Sequence, residues 1–208
     1  MTTVTIFGFP QSTYVRTVRM TCEEKGVPYV LEPVEWGAPS HRARHPFLRI
    51  PAFQHDGFTL YESLAIARYV DRAFAGPPLQ PQEPKEAGRM DQWISAIGDY
   101  FYQTMIRELV FPRLVAPSRG QAPDEAVIAK AVPKAEGLLA ATDATLAEDA
   151  YLAGPMVTLA DLYLVPILFW LSKTPEGAPL LDAAPAVSRW YAAMEQRPSF
   201  AATLPPAP

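Results

Sequence analysis

One cysteine, Cys22, occurs in 208 residues. A lone thiol forms no internal disulfide and builds no cysteine-rich metal site, so packing must supply the stability and a reducing compartment suits the chain. Like charge is equally scarce locally. The formal net charge is -4 and no run of five or six like charges occurs, which leaves no electrostatic footprint for a polyphosphate and argues against nucleic acid as a partner. Charge or proline breaks every apolar stretch well short of the roughly 20 residues a membrane span needs. The N-terminus lacks the basic-then-apolar pattern of a secretory signal, so a cytoplasmic location without membrane contact is expected. No internal repeat is visible, and the Pro-Ala tail from Pro205 to Pro208 is the sole low-complexity tract, expected to fray. What the composition does offer is 49% apolar residues, enough to fill more than one core.

Thr3 to Phe7 alternates β-branched and apolar residues and stops at Gly8 and Pro10, which predicts a short buried strand. Thr13 to Lys25 places Val15, Val18 and Cys22 at helical spacing before Gly26, a C-terminal cap. A second strand is expected over Pro28 to Val34, then a loop with a short basic segment around Ser40 to Arg44. Asp56-Gly57 predicts a tight hairpin between strands at Ala52 to Gln54 and Thr59 to Tyr61. The next helix carries Ile66, Tyr69, Val70, Ala73 and Phe74 on one face and ends at Gly76-Pro77-Pro78. This βαβαββα order is a thioredoxin-like α/β plan. Prolines then cluster up to Pro84, which sets the expected division: an N-terminal α/β domain over 1–77, a linker over 78–83 and an all-α C-terminal domain over 84–208. In the second domain helices are expected from about Lys85 to Val115, Asp124 to Ala147, Thr158 to Lys173 and Pro185 to Gln196.

Three places can carry chemistry. Ser12 lies between the first strand and the first helix, and its hydroxyl has two uses: capping the helix, or donating a hydrogen bond to a bound thiolate with help from the helix N-terminus. A thiol of pKa about 8.5 needs roughly 2.7 kcal/mol to come down by two units. A hydrogen bond to a charged group at about 1.5–3 kcal/mol plus a helix terminus at about 0.3–1 kcal/mol supplies that. At Ile50-Pro51 the base rate favours a trans bond; were it cis, the Ile50 backbone could pair with an extended peptide. Glu62-Ser63 opens the third helix, where capping alone accounts for the pair, yet the same groups can hold the carboxylate and ammonium of an amino acid.

Taken together, Gly8-Phe9-Pro10-Gln11-Ser12, the segment HPFLRIPAF from His45 to Phe53 and LYESLAIARYV from Leu60 to Val70 resemble the glutathione transferase family, and the resemblance covers nearly the whole chain. Its nearest likeness is to the serine-type, phi-like N-terminal domain. The resemblance implies a thioredoxin-like domain that binds glutathione, a helical domain that holds a small apolar electrophile, a homodimer, and no metal or prosthetic group. It puts thiolate stabilisation on Ser12, pairing with the cysteinyl backbone on Ile50 before a cis Pro51, and the γ-glutamyl group on Glu62 with Ser63. The usual His-Lys pair for the glycine carboxylate has no clear equivalent, which leaves Arg49 and His41 as basic candidates. Tyr14 and Thr13 also carry hydroxyls near the first helix, and tyrosine is the thiolate donor in other classes of the family, so the donor role has alternatives there. Phe9, Tyr14, Tyr102 and Met105 are expected to line the acceptor pocket, with Tyr100, Phe101 and Phe111 on the same stretch able to serve as core or dimer interface instead. Related chemistries on the same scaffold (isomerase, peroxidase, reductase) and a non-catalytic interaction module are the alternatives. Thr158-x-x-Asp161 reads as a capping box, a structural feature whose loss costs on the order of 1 kcal/mol or more. Cys22 is expected to be inert packing, and His55 exposed.

Overall fold

The alternating residues at the head of the chain form β1 (Val4–Phe7) in the computed structural model, which describes residues 4–206. Thr3 of the expected first strand and Ala207 and Pro208 of the expected tail lie outside the described residues. Helix α1 (Thr13–Glu24) stops where glycine permits it: Gly26 has φ 64°, its N–H donates to Glu23 O at 3.1 Å, and the Val27 N–H donates to Cys22 O at 2.8 Å. These two bonds satisfy carbonyls that the helix end would otherwise leave unpaired. Next come β2 (Tyr29–Glu32), α2 (Pro39–Arg44), β3 (Ala52–His55), β4 (Phe58–Tyr61) and α3 (Ser63–Ala73). Asp56 and Gly57 both take positive φ, 47° and 84°, the requirement of the two-residue turn that matches strand twist.

The sheet order is β2-β1-β3-β4, with β1 and β2 parallel and the other pairs antiparallel. Val4 and Ile6 of β1, Val15, Val18 and Cys22 of α1, Phe53 of β3, and Ile66 and Val70 of α3 share one core. That is the thioredoxin-like layer the sequence pattern predicts.

The second unit is helical: α4 (Pro84–Ala96), a π-wound stretch over Ile97–Val115, α5 (Ala116–Ser118), α6 (Glu125–Glu148), α7 (Leu159–Leu171), α8 (Gly177–Asp182) and α9 (Pro185–Glu195). The expected helix from Lys85 to Val115 thus changes winding midway. Its buried residues Ile97, Phe101, Thr104, Met105, Ile106, Leu109 and Val110 keep one face of the stretch inward. Helix α7 is buried on nearly every side, as a uniformly apolar sequence requires.

The chain divides into two compact units, Pro81–Met194 and a first unit that combines the residues up to Gln80 with those from Glu195 onward. Placing all of 84–208 in the helical domain therefore misassigns the C-terminal segment with α10 (Pro198–Ala202). The cause is a set of buried charges on α1. Arg16 Nη2 donates to Phe200 O at 3.2 Å, Arg19 Nη1 to Thr203 O at 3.1 Å, and Glu24 Oε2 accepts from Arg197 Nη2 at 2.6 Å. The final segment supplies acceptors to the buried Arg16 and Arg19 and a donor to Glu24, which the buried charges need.

Candidate functional site

The turn from β1 to α1 is held tightly. The Gly8 N–H donates to Glu32 O at 2.8 Å, and a Cβ on Gly8 would sit 2.5 Å from Val15 Cγ2 and 3.5 Å from the Ile50 Cβ. Only glycine lets the turn approach α1 and Ile50 this closely. Phe9 and Ile50 pack against the same small cluster of Phe7, Val34 and Ala52. Ser12 follows in extended geometry as the N-cap of α1, and its Oγ accepts the Val15 N–H at 3.4 Å. The two roles foreseen for this hydroxyl are compatible, because capping uses an oxygen lone pair and leaves the O–H hydrogen available to donate. Ser12, Phe9 and Tyr14 are all half-buried.

The Ile50-Pro51 peptide bond is cis, as the resemblance implies and against the base rate for such bonds. Neither the N–H nor the C=O of Ile50 joins a backbone–backbone hydrogen bond among the described residues. An extended peptide could add itself there. At the third place, Glu62 takes φ 69° and is the N-cap of α3 without a capping side-chain bond, so its carboxylate is not used up by the helix it precedes. Ser63 is the first residue of α3 and half-buried. The first unit thus gathers the Ser12 turn and Ile50, and sets Glu62 at the end of β4 with its Oε1 3.9 Å from the Nε2 of a buried histidine, His45.

The basic candidates separate. Arg49 is exposed. His41, by contrast, is fully buried, its Nδ1 accepting the Gly37 N–H at 3.3 Å and its Nε2 standing 3.0 Å from Arg49 O. Since Nδ1 accepts, Nε2 carries the proton and donates it to the carbonyl. The expectation that His41 could meet a carboxylate is corrected by this geometry: it has no N–H left to offer, and it ties the loop at Gly37 to the strand entry at Arg49. In the helical unit Met105 is fully buried and Tyr102 half-buried. An apolar groove of ≈ 540 Å³ in that unit, lined in part by Leu139, Leu180 and Ala184, includes none of the expected acceptor residues. Among the described residues no His, Cys, Asp and Glu group is arranged to hold a metal, and no helix is long and apolar enough to cross a membrane.

Family models for the glutathione S-transferase N-terminal and C-terminal domains match residues 6–78 and 101–198. Glutathione S-transferase 3 of Zea mays is 34% identical, covering 100% of this chain and 98% of its own. The chain belongs to the glutathione S-transferase family. Among solved structures, glutathione S-transferase III in apo form is 35% identical with a TM-score of 0.89 over 99% of each chain. Glutathione S-transferase I from mais, in complex with an atrazine glutathione conjugate, is 31% identical with a TM-score of 0.89, again over 99% of each chain. These full-length matches place the thioredoxin-like unit and the helical unit in a glutathione S-transferase fold.

Two residues of this transferase outside the gathered site behave differently from each other. Cys22 is fully buried, and burial, with the nearby Glu23 charge, pushes its thiol up to about 12. Because the thiolate is the reactive form, the folded chain should resist a thiol-specific disulfide reagent at neutral pH, reacting only as it unfolds; a full equivalent released within the mixing time would contradict this. His55, expected to be exposed, is half-buried, with Nδ1 2.7 Å from the Tyr69 hydroxyl and its ring 4.8 Å from that of Phe74. Aromatic neighbours on α3 and after it cover the hairpin end. Of the site itself, His45 is the residue that reading the sequence missed. It opens the HPFLRIPAF segment, but nothing local in the sequence signals that it faces Glu62.

Proposed function

We propose that the chain joins the thiolate of glutathione to a small apolar electrophile. The observation that carries this reading is Ser12, a half-buried hydroxyl at the mouth of α1 whose O–H has no acceptor among the described residues, in a turn packed beside the open Ile50 edge. In the reaction the Ser12 O–H and the positive end of α1 stabilise the sulfur anion. The sulfur lone pair forms the new C–S bond, and the displaced pair leaves with the departing group or is taken up by the acceptor and then protonated. Ile50 pairs with the cysteinyl backbone, Glu62 and Ser63 hold the γ-glutamyl head group, and exposed Arg49 meets the glycine carboxylate.

The helical unit holds the acceptor in this reading. Tyr102 of that unit is half-buried and offers a partly accessible ring, while Met105 is fully buried and serves as packing; Phe9 and Tyr14 are half-buried rings of the first unit. Domain roles follow the expected division, with the C-terminal segment reassigned to the glutathione-binding unit. A cytoplasmic homodimer is part of the proposal, supported by Phe47 and Tyr61, exposed at 67% and 38%, which meet edge to face and form an apolar surface suited to a second copy.

The test is isothermal titration with glutathione alongside a chlorodinitrobenzene conjugation assay of the parent and Ser12→Ala. Removing the hydroxyl should leave glutathione affinity near the parent's, raise the pKa of the bound thiol and cut turnover at pH 7 roughly tenfold to hundredfold. Absence of glutathione binding would favour an interaction module. Binding with unchanged turnover in the variant would take the donor role away from Ser12.

A further inference from the structure

The imidazole beside Glu62 has no task in the reading above. His45 is 1% exposed, and its backbone is fixed at both ends: its N–H donates to His41 O at 2.8 Å and its carbonyl accepts the Leu48 N–H at 2.9 Å. Rings close around it, Tyr61 at 5.0 Å and Phe47 at 6.2 Å between centroids. The Nδ1 atom is buried without a hydrogen-bond partner among the described residues, while Nε2 faces Glu62 Oε1 at 3.9 Å. A carboxylate can only accept, so it selects the tautomer with the proton on Nε2 and leaves a lone pair on Nδ1. The Glu62 side chain, 64% exposed, is the movable partner. A shift of about 1 Å brings the two within hydrogen-bond reach.

We propose that His45 is a positioning residue for glutathione: its Nε2–H steers the Glu62 carboxylate onto the ammonium of the γ-glutamyl group, and protonation of the ring cancels that steering. This rests on the proposed role of Glu62 in glutathione binding. The charged and titratable groups facing the ring are Glu62 at the start of α3, His41 on α2, Arg49 in the loop that follows, and Tyr61 on β4. Burial lowers the His45 pKa, His41 and Arg49 add to that, and Glu62 opposes them. The ring is therefore neutral near pH 7 and gains its proton only below the ordinary imidazole range of about 6.5. An imidazolium beside Glu62 would neutralise the carboxylate and compete with the ligand's ammonium. Glutathione binding should consequently weaken as pH falls.

Isothermal titration of the parent, His45→Leu and His45→Asn decides the matter, using glutathione and an analogue lacking the α-amino group. The leucine variant should bind glutathione about tenfold more weakly at neutral pH and keep the parent's Kd for the analogue. The asparagine variant, whose amide still donates, should stay near the parent, yet lose the acid weakening that the parent displays as the pH falls below about 6.5. Equal losses for both ligands in the leucine variant would reduce His45 to a packing role and overturn the proposal, as would the same acid slope in parent and asparagine variant. Should the leucine variant fail to fold, the acid comparison stands alone and suffices. A parent that binds no glutathione removes the underlying reading instead, a result visible before any variant is made.

Discussion

Replacing Asp161 with alanine should lower the free energy of unfolding by on the order of 4 kcal/mol, several times what the loss of an ordinary helix cap costs. Asp161 is fully buried, and each of its oxygens accepts two hydrogen bonds. Oδ2 takes the Thr158 N–H at 2.8 Å, the capping contact that the sequence motif predicts, and also the Thr158 hydroxyl at 3.0 Å. Oδ1 takes the Leu152 N–H at 3.1 Å and the Trp190 indole N–H at 3.1 Å. Alanine would strand four donors, each worth roughly 1–3 kcal/mol when left buried and unpaired. One effect works the other way. Burial holds the Asp161 carboxyl above its ordinary pKa despite those donors, so removing the charge relieves some desolvation cost and keeps the total below the plain sum. Asparagine retains one oxygen and turns an amide toward the other pair of donors; the Thr158 hydroxyl can rotate to accept from it, but the backbone N–H cannot. Its loss should fall between parent and alanine. Urea unfolding at unchanged m-value measures both, and an alanine variant within 1 kcal/mol of the parent (about a fivefold change in the folding constant) would mean that water replaces the carboxylate.

The difference between that figure and the cap value expected from the sequence marks where local pattern stops informing. Thr158 and Asp161 are three positions apart, so the box is legible as a motif; Trp190 is 29 positions away and is brought in only by packing. The same division runs through the first unit. Alternation at Val4–Phe7, the Asp56-Gly57 turn and the Gly26 cap are short-range devices, and each folds as its residues dictate. The Ser12 cap is legible for the same reason, since a hydroxyl between strand and helix falls at the start of α1. His41 and His45 were not. His41 lies in the short basic segment and His45 just after it, and what separates their contacts is the path of the loop, which spends one on the Arg49 carbonyl and leaves the other facing Glu62. The reassignment of α10 has a similar origin, because Arg16 and the Phe200 carbonyl are 184 positions apart. Buried arginines on α1 were a hint, since a helix face carrying Val15, Val18 and Cys22 has little room for solvated guanidinium groups, but the identity of their acceptors is a property of the whole chain.

Lys25 at the far end of α1 extends this to a stability prediction that no motif announces. Its side chain is 3% exposed, and the Nζ donates to Asp71 Oδ1 at 3.0 Å, Gly76 O at 3.2 Å and Pro77 O at 3.0 Å, which uses all three ammonium hydrogens. Asp71 in turn accepts the Leu79 N–H at 2.9 Å on Oδ1 and the Gln80 amide at 2.8 Å on Oδ2. The pair therefore fastens the segment after α3 to the end of the helix that begins at Ser12. Lys25→Met should cost about 3–5 kcal/mol, because it leaves a buried carboxylate without its countercharge and two carbonyls without donors. Changing Asp71 to asparagine in the same chain should recover part of that, since the stranded charge is gone while an oxygen remains for the Leu79 N–H. The double variant must then be more stable than the sum of the two single losses predicts, by roughly 1–3 kcal/mol of coupling. Strict additivity in denaturant unfolding would show that the contact at 3.0 Å contributes no net stability. Since both changes lie at the opposite end of α1 from Ser12, whatever fraction of each variant stays folded should conjugate at the parent's rate, and a fall in turnover beyond the unfolded fraction would reveal that the fastening also holds the mouth of the helix in place.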